Sequence, residues 1–168
     1  MTEATYQRVT IRPASPEDAH GIAHAFLQSA EHHATLDPWR YFVPNAETIA
    51  ARYREGRQHP PAPVSSTVTL VAELDGKIVG FVDVRLEQSP DAMHRELLYC
   101  HVVEIAVDGR HRRQGIGGRL LEAAEDWGRR SGAEIALLEY LAGNTDAASF
   151  YHERMGYRPA AISAIKRL

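Results

Sequence analysis

Apolar and polar positions alternate with two periods along this chain. The runs TVTLVAEL (residues 67–74) and KIVGFVDVR (residues 77–85) are rich in β-branched residues and flank Asp75-Gly76, a dipeptide favoured in two-residue turns, so together they predict a hairpin. TYQRVTIR (residues 5–12) alternates like a short strand. LLYCHVVEIAV (residues 97–107) is apolar almost throughout, as expected of a strand in mid-sheet that is covered on both faces. A regular strand there would send His101 and Glu104 to opposite faces, an assignment that a bulge would change.

Other segments follow the helical period. SPEDAHGIAHAFLQSA opens on Ser15, with Pro16 at the first helical position and acids in the first turn. A short helix is expected over residues 44–57. Ile116, Leu120, Leu121, Ala124 and Trp127 fall on one helical face, closed by Arg129, Arg130 and Gly132. EIALLEYLA (residues 134–142) then reads as a strand. A short helix starts at Asn144 and stops at Gly156, and a final β-like segment runs over residues 157–165. The Pro/Ser-rich stretch QHPPAPVSS (residues 58–66) is a loop. This order predicts an α/β (α+β) chain with a mixed sheet of about 6–7 strands and about four helices, in one domain over residues 1–168.

Composition narrows the possible roles. The chain has 168 residues and a net charge of −3, which argues against bulk-charge binding of nucleic acid. Residues 108–119 (DGRHRRQGIGGR) concentrate a local +3 on a remainder of −6. No run approaches ~18 apolar residues, so no membrane partner is expected. A single cysteine, Cys100, and the start MTEATYQRV make a cytoplasmic location the default.

The buried strand, the turn Arg112-Arg113-Gln114-Gly115-Ile116-Gly117-Gly118 and the following helix form a strand–turn–helix unit. Such a unit aims free backbone N–H groups and the positive end of a helix dipole at one point, where a phosphate would fit. Dinucleotide and Walker fingerprints are absent, since Leu120 stands where the first needs glycine.

The pattern Arg112-x-x-Gly115-x-Gly117 resembles the pyrophosphate loop, [Q/R]-x-x-G-x-[G/A], of the GNAT superfamily of acetyl-CoA-dependent N-acetyltransferases. The preceding I-A-V-D also matches, as do Asn144, Ala148, Tyr151 and Gly156-Tyr157 downstream, with the Ala-to-Tyr step read as three residues. The hairpin and Leu36-Asp37-Pro38 extend the likeness over most of residues 7–167. The resemblance implies the GNAT fold and acetyl-CoA as cosubstrate. Gln114, Gly115, Ile116, Gly117 and Gly118 would hold the pyrophosphate, with Arg112 and Arg113 beside it. Ile105, Ala106 and Val107 would run along the pantetheine arm, a donor near Val107 would polarise the thioester carbonyl, and Asn144 would contact the cofactor. A homodimer is a family-level expectation.

Acetyl transfer to an amine needs the amine neutral and the departing thiolate protonated. The resemblance brings Tyr151 close to the sulfur, and a phenol is suited to protonating it. Glu104 and His101 are the candidate bases, with water as the third option; a carboxylate inside an apolar strand suggests a use. Cys100 reads as a small buried hydrophobe rather than an acyl carrier. His20 and His24 share a helix face but lack a third ligand, so no metal is expected. His32, His33, Trp39, Tyr41 and Phe42 would frame the acceptor, or simply pack the connection after the first helix. The favoured reading is transfer to a primary amine of a small molecule by direct attack. The alternatives are N-terminal or lysine acetylation of a protein or peptide, and a non-catalytic acyl-CoA-binding module.

Overall fold

In the computed structural model, residues 9–56, 66–89 and 93–167 are described. Five strands lie in the order β1-β2-β3-β4-β5: β1 Thr10–Pro13, β2 Thr67–Leu74, β3 Lys77–Gln88, β4 Leu98–Val107 and β5 Ile135–Leu138. The first three pairings are antiparallel and β4–β5 is parallel, giving a mixed sheet. Four helices flank it: α1 Ala19–Leu36, α2 Ala46–Arg54, α3 Ile116–Arg130 and α4 Thr145–Ser149, the last continued by a wider turn over Phe150–Arg154. The predicted loop falls outside the described residues up to Ser66.

Local chemistry explains most of these boundaries. Asp75 and Gly76 both take positive φ, 51° and 74°, as a two-residue hairpin turn demands, and Leu74 pairs with Lys77 across it. Asn45 caps α2 by accepting from Glu47 N at 2.9 Å and Thr48 N at 3.3 Å. Ser15 and Pro16 open a single 3₁₀ turn that leads into α1. Gly128 lets α3 approach β4 closely, since a Cβ there would lie 2.5 Å from Cys100 Sγ.

Two expectations need correction. The sheet has five strands among the described residues, not 6–7, because residues 157–167 form no strand. Apolar alternation makes a strand only where there is a pairing edge and a surface to bury against, and Ile162 remains 96% exposed. The strand predicted over residues 134–142 is trimmed to Ile135–Leu138, since its partnership with β4 ends at Val102↔Leu138.

The sheet separates two cores. Leu70, Val82, Val84, Cys100 and Val102 pack with Leu120, Leu121 and Ala124 of α3. Val71, Phe81 and Ala106 pack with Ile22 of α1 and Ile49 and Tyr53 of α2. The entry to α1 is held by Asp18, whose carboxylate accepts from Arg12 Nη1 at 2.7 Å, Arg12 Nη2 at 2.9 Å and Ser15 N at 2.8 Å. The Arg12 bond, chiefly, lowers the Asp18 pKa. Asp18→Asn is therefore expected to destabilise the fold by roughly 1–2 kcal/mol at neutral pH, a modest figure because Arg12 is one-third exposed. A carboxyl whose folded pKa is depressed stabilises above its unfolded value, about 3.9, and loses that contribution as pH falls through the folded value. Urea unfolding at pH 7 and below pH 4 checks this: the gap between wild type and variant should shrink in acid.

Candidate functional site

The site is built where β4 and β5 part. Parallel pairing joins Tyr99–Val102 to Ile135–Leu138 and then stops, so Ile105, Ala106 and Val107 run on beyond β5 along that side of β4. The β3–β4 ladder has its own irregularity: Asp83 faces Glu104 but Val84 faces Val102, which leaves Val103 as an extra residue. This bulge resets the alternation of β4. Cys100 and Val102 face α3, as do Ile105 and Val107 after the bulge, whereas Ala106 faces α1. His101 and Glu104 consequently lie on the same face, toward α1 and α2. The opposite-face expectation for a regular strand is thereby corrected.

The glycine-rich turn follows β4. Asp108 is 2% exposed and accepts from Arg110 N at 3.0 Å and Arg110 Nη2 at 2.7 Å; the Arg110 bond holds its carboxyl well below the usual range. Gly109 N donates to Gln28 Oε1 of α1 at 2.7 Å, which ties the turn to the opposite core. Arg112 Nε donates to Val107 O at 3.1 Å, and Gln114 Nε2 to Arg110 O at 3.5 Å. Arg113 and Gly115 both take left-handed backbone conformations, φ 61° and 79°. At Gly115, the residue preceding Ile116 and α3, nothing lies within 4 Å of where a Cβ would stand. The turn thus leaves open space at the start of a 15-residue helix, an arrangement that fits a phosphate-bearing group. Gly117 and Gly118 lie in the first turn of α3, where an added Cβ would stand in ordinary contact range of Phe150 and Met155 respectively.

Tyr151 is 8% exposed, among the rings of Phe150, Tyr140 and Tyr157, whose centroids lie 5.2, 5.6 and 6.1 Å away. Burial, and then the charge of Glu104, pushes its phenol up to about 12. Asn144 caps α4 by accepting from Ala147 N at 3.1 Å, which accounts for its side-chain oxygen. Cys100 is buried, its thiol pushed up to about 11 by burial, so it holds its proton at neutral pH.

On the α1 face, Ser29 donates to Glu104 Oε1 at 3.1 Å. His33 Nδ1 lies 2.8 Å from Ser29 O, and the His33 ring is 5.3 Å from that of Tyr41. His32 meets His33 edge-on at 6.4 Å. Trp39 is 50% exposed and Phe42 77%, so these two are not spent on core packing. The Arg167 guanidinium lies 5.7 Å from the Trp39 ring centre. His20 and His24 sit beside Glu47 and Asp108 at 3.5 Å. Among the described residues no group of three or more His, Cys, Asp or Glu side chains could hold a metal, and no helix is long and apolar enough to cross a membrane.

Sequence reasoning missed Ser29 and the polar row Asp83, Arg85 and Glu87 on β3. The row was visible as charges at every second position of a strand, which share one face. Asp83 is 1% exposed and accepts from Tyr53 Oη and Thr69 Oγ1, each at 2.6 Å. Ser29, 75 residues from Glu104, left no local signal.

The candidate site thus combines the parting of β4 from β5 with a glycine-rich turn that leads from the end of β4 into α3. The sequence model of the Acetyltransferase (GNAT) family matches residues 32–157, and the chain belongs to that family. It is 30% identical over 149 residues to the uncharacterized N-acetyltransferase YhfO of Bacillus subtilis, covering 89% of each chain. It is 33% identical over 100 residues to an N-alpha-acetyltransferase of Sulfurisphaera tokodaii, covering 55% of this chain and 57% of that one. Among solved structures it is similar to a tetramutant of the BH1408 protein of Bacillus halodurans, with TM-score 0.81, 23% identity, and coverage of 95% and 99% of the two chains. It is also similar to the aminoglycoside N-acetyltransferase AAC(6')-Iy in complex with CoA, with TM-score 0.70, 16% identity and 99% coverage of both. Acetyl-CoA is the family's general acyl donor.

Proposed function

We propose that this protein is a single-domain N-acetyltransferase that moves acetyl from acetyl-CoA to a primary amine of a small molecule by direct attack. The observation that carries the reading is the bulge at Val103, which puts Glu104 on the α1 face while Ile105 and Val107 face α3, with Tyr151 in the α3-side core. Donor and acceptor then meet at β4 from different sides. The backbone of Gln114 to Gly118 receives the pyrophosphate, Arg112 and Arg113 flank it, Ile105 to Val107 align the pantetheine arm, and Asn144 shapes that side by capping α4. A backbone N–H near Val107 polarises the thioester carbonyl.

In this reading Glu104 is the base. Ser29 orients one of its oxygens, and the incoming ammonium gives up its proton to the carboxylate. Tyr151 donates its proton to the sulfur as negative charge develops there, and the second proton that the attacking nitrogen loses on forming the amide restores the phenol. The two roles are coupled, because the charge of Glu104 helps hold the proton on Tyr151. Once Glu104 is protonated that restraint is gone, and Tyr151 becomes the stronger acid at the moment the thiolate departs. His32, His33, Trp39, Tyr41 and Phe42 frame the acceptor, and His101 lies further along the same face.

Aminoglycoside acetyltransferases among the structural neighbours support a small-molecule acceptor. The Sulfurisphaera tokodaii relative favours a second reading, acetylation of a protein α-amine. A cytoplasmic location and a homodimer belong to the same proposal. The test is release of CoA thiol from acetyl-CoA across simple amines, amino acids, polyamines, aminoglycosides and peptides. Turnover confined to peptide N-termini would replace the first reading with the second, and failure of acetyl-CoA to bind in calorimetry would remove both.

A further inference from the structure

The sheet face beneath α1 and α2 carries a second polar group that the acid–base pair does not use. Arg85 of β3 stands opposite His101 of β4, and Glu87 is two residues further along β3. Glu87 Oε1 lies 3.0 Å from His101 Nδ1, and Arg85 Nε donates to the same oxygen. Bonds from His101 and Arg85 outweigh burial and lower the Glu87 pKa. A carboxylate only accepts hydrogen bonds, so His101 Nδ1 must carry the hydrogen. In a neutral imidazole this leaves a lone pair on Nε2. The His101 side chain is 14% exposed: enclosed enough to be fixed, yet still in reach of a ligand.

The bulge makes His101 and Glu104 successive residues on one face of β4. Same-face neighbours along a strand are spaced by about 7 Å. Resting on the reading of Glu104 as the base, we propose that Glu87 is a positioning residue that holds His101 in its Nδ1–H form. Nε2 then accepts a hydrogen bond from a second donor, a hydroxyl or ammonium group, on the acceptor. The acceptor class is accordingly an amine with a further donor about 7 Å from the nitrogen that is acetylated. A plain alkyl amine leaves Nε2 without that contact, and a hydrogen bond of ordinary net strength corresponds to roughly tenfold in apparent affinity.

The experiment uses the full chain at saturating acetyl-CoA, with n-pentylamine, 5-aminopentanol and 1,5-diaminopentane as acceptors of matched length. Wild type should show a KM about tenfold lower for the two bifunctional amines than for n-pentylamine. In His101→Phe that ratio should collapse toward one, chiefly through KM rather than kcat. Glu87→Gln should lose part of the ratio, and Glu87→Asp should recover more of it than Gln does. Long-range ¹⁵N spectra should show His101 as the Nδ1–H tautomer in wild type and a mixture in Glu87→Gln. Equal KM values for all three amines in wild type would overturn the proposal. So would a fall in kcat of equal size for every amine in His101→Phe, which would make His101 the base. If wild type acetylates none of the three, the proposed function fails for simple amines, and the acceptor assignment falls with it. The tautomer spectra still judge Glu87 separately, and an Nε2–H ring in wild type would overturn its role.

Discussion

Tyr151→Phe should lower kcat by about 10²–10³-fold at saturating acetyl-CoA and acceptor. Proton donation by a positioned side chain contributes roughly 10²–10⁴-fold, and Tyr151 belongs toward the lower end. Its pKa, near 12, is above the optimum for an acid working at neutral pH, while a thiol near 8.5 is a modest proton acceptor. In the proposed mechanism the phenol therefore acts mainly by donating a hydrogen bond while charge builds on sulfur. The substitution removes one oxygen and keeps the ring, which touches Phe150, Tyr140 and Tyr157, so the thermal midpoint should move little. Thiol release measured beside a melting curve separates chemistry from folding. A kcat within threefold of wild type would remove Tyr151 from the reaction.

Glu104→Gln should have an effect of similar size, but one that depends on both the acceptor and the pH. A lysine-like amine with pKa near 10.4 is neutral about once in a thousand molecules at pH 7.4, and that scarcity is what a base overcomes. Loss of the carboxylate should then lower kcat/KM by roughly 10²-fold or more for such an amine at pH 7.4. For an α-amine with pKa near 8 the loss should be only a few-fold. The direction with pH follows from the amine: as pH rises toward 10 more of it is already neutral, so the deficit shrinks. Glutamine keeps an oxygen for the Ser29 hydroxyl, which preserves that contact. Parallel profiles for wild type and variant from pH 6 to 9.5 would sink the base assignment.

What could be read in advance was chemistry encoded within a few residues. Asp75-Gly76 specified its turn because both positions need positive φ, and the heptad-like face from Ile116 to Trp127 specified α3 because only a helix gathers those residues against one surface. The Arg112-to-Gly118 turn was legible because left-handed backbone at Gly115 and free helix N–H groups are local properties. The segment after Tyr157 misled for the converse reason. Its alternation is compatible with a strand, but a strand also needs a neighbour, and no local pattern says whether one is present.

The working face of the site belongs to the second category. A period of two along β4 predicts that His101 and Glu104 point apart, and this fails because Val103 is extruded by the pairing of β4 with β3. Ser29 reaching Glu104, Glu87 reaching His101 and the early end of β5 are likewise agreements between segments distant in sequence. By itself the sequence determined the hairpin, the four helices, the glycine-rich turn and the family pattern, since each rests on backbone preferences acting over a few residues. Only the tertiary structure decided which side chains share a face, because that is set by register between strands, and a single extra residue reverses it.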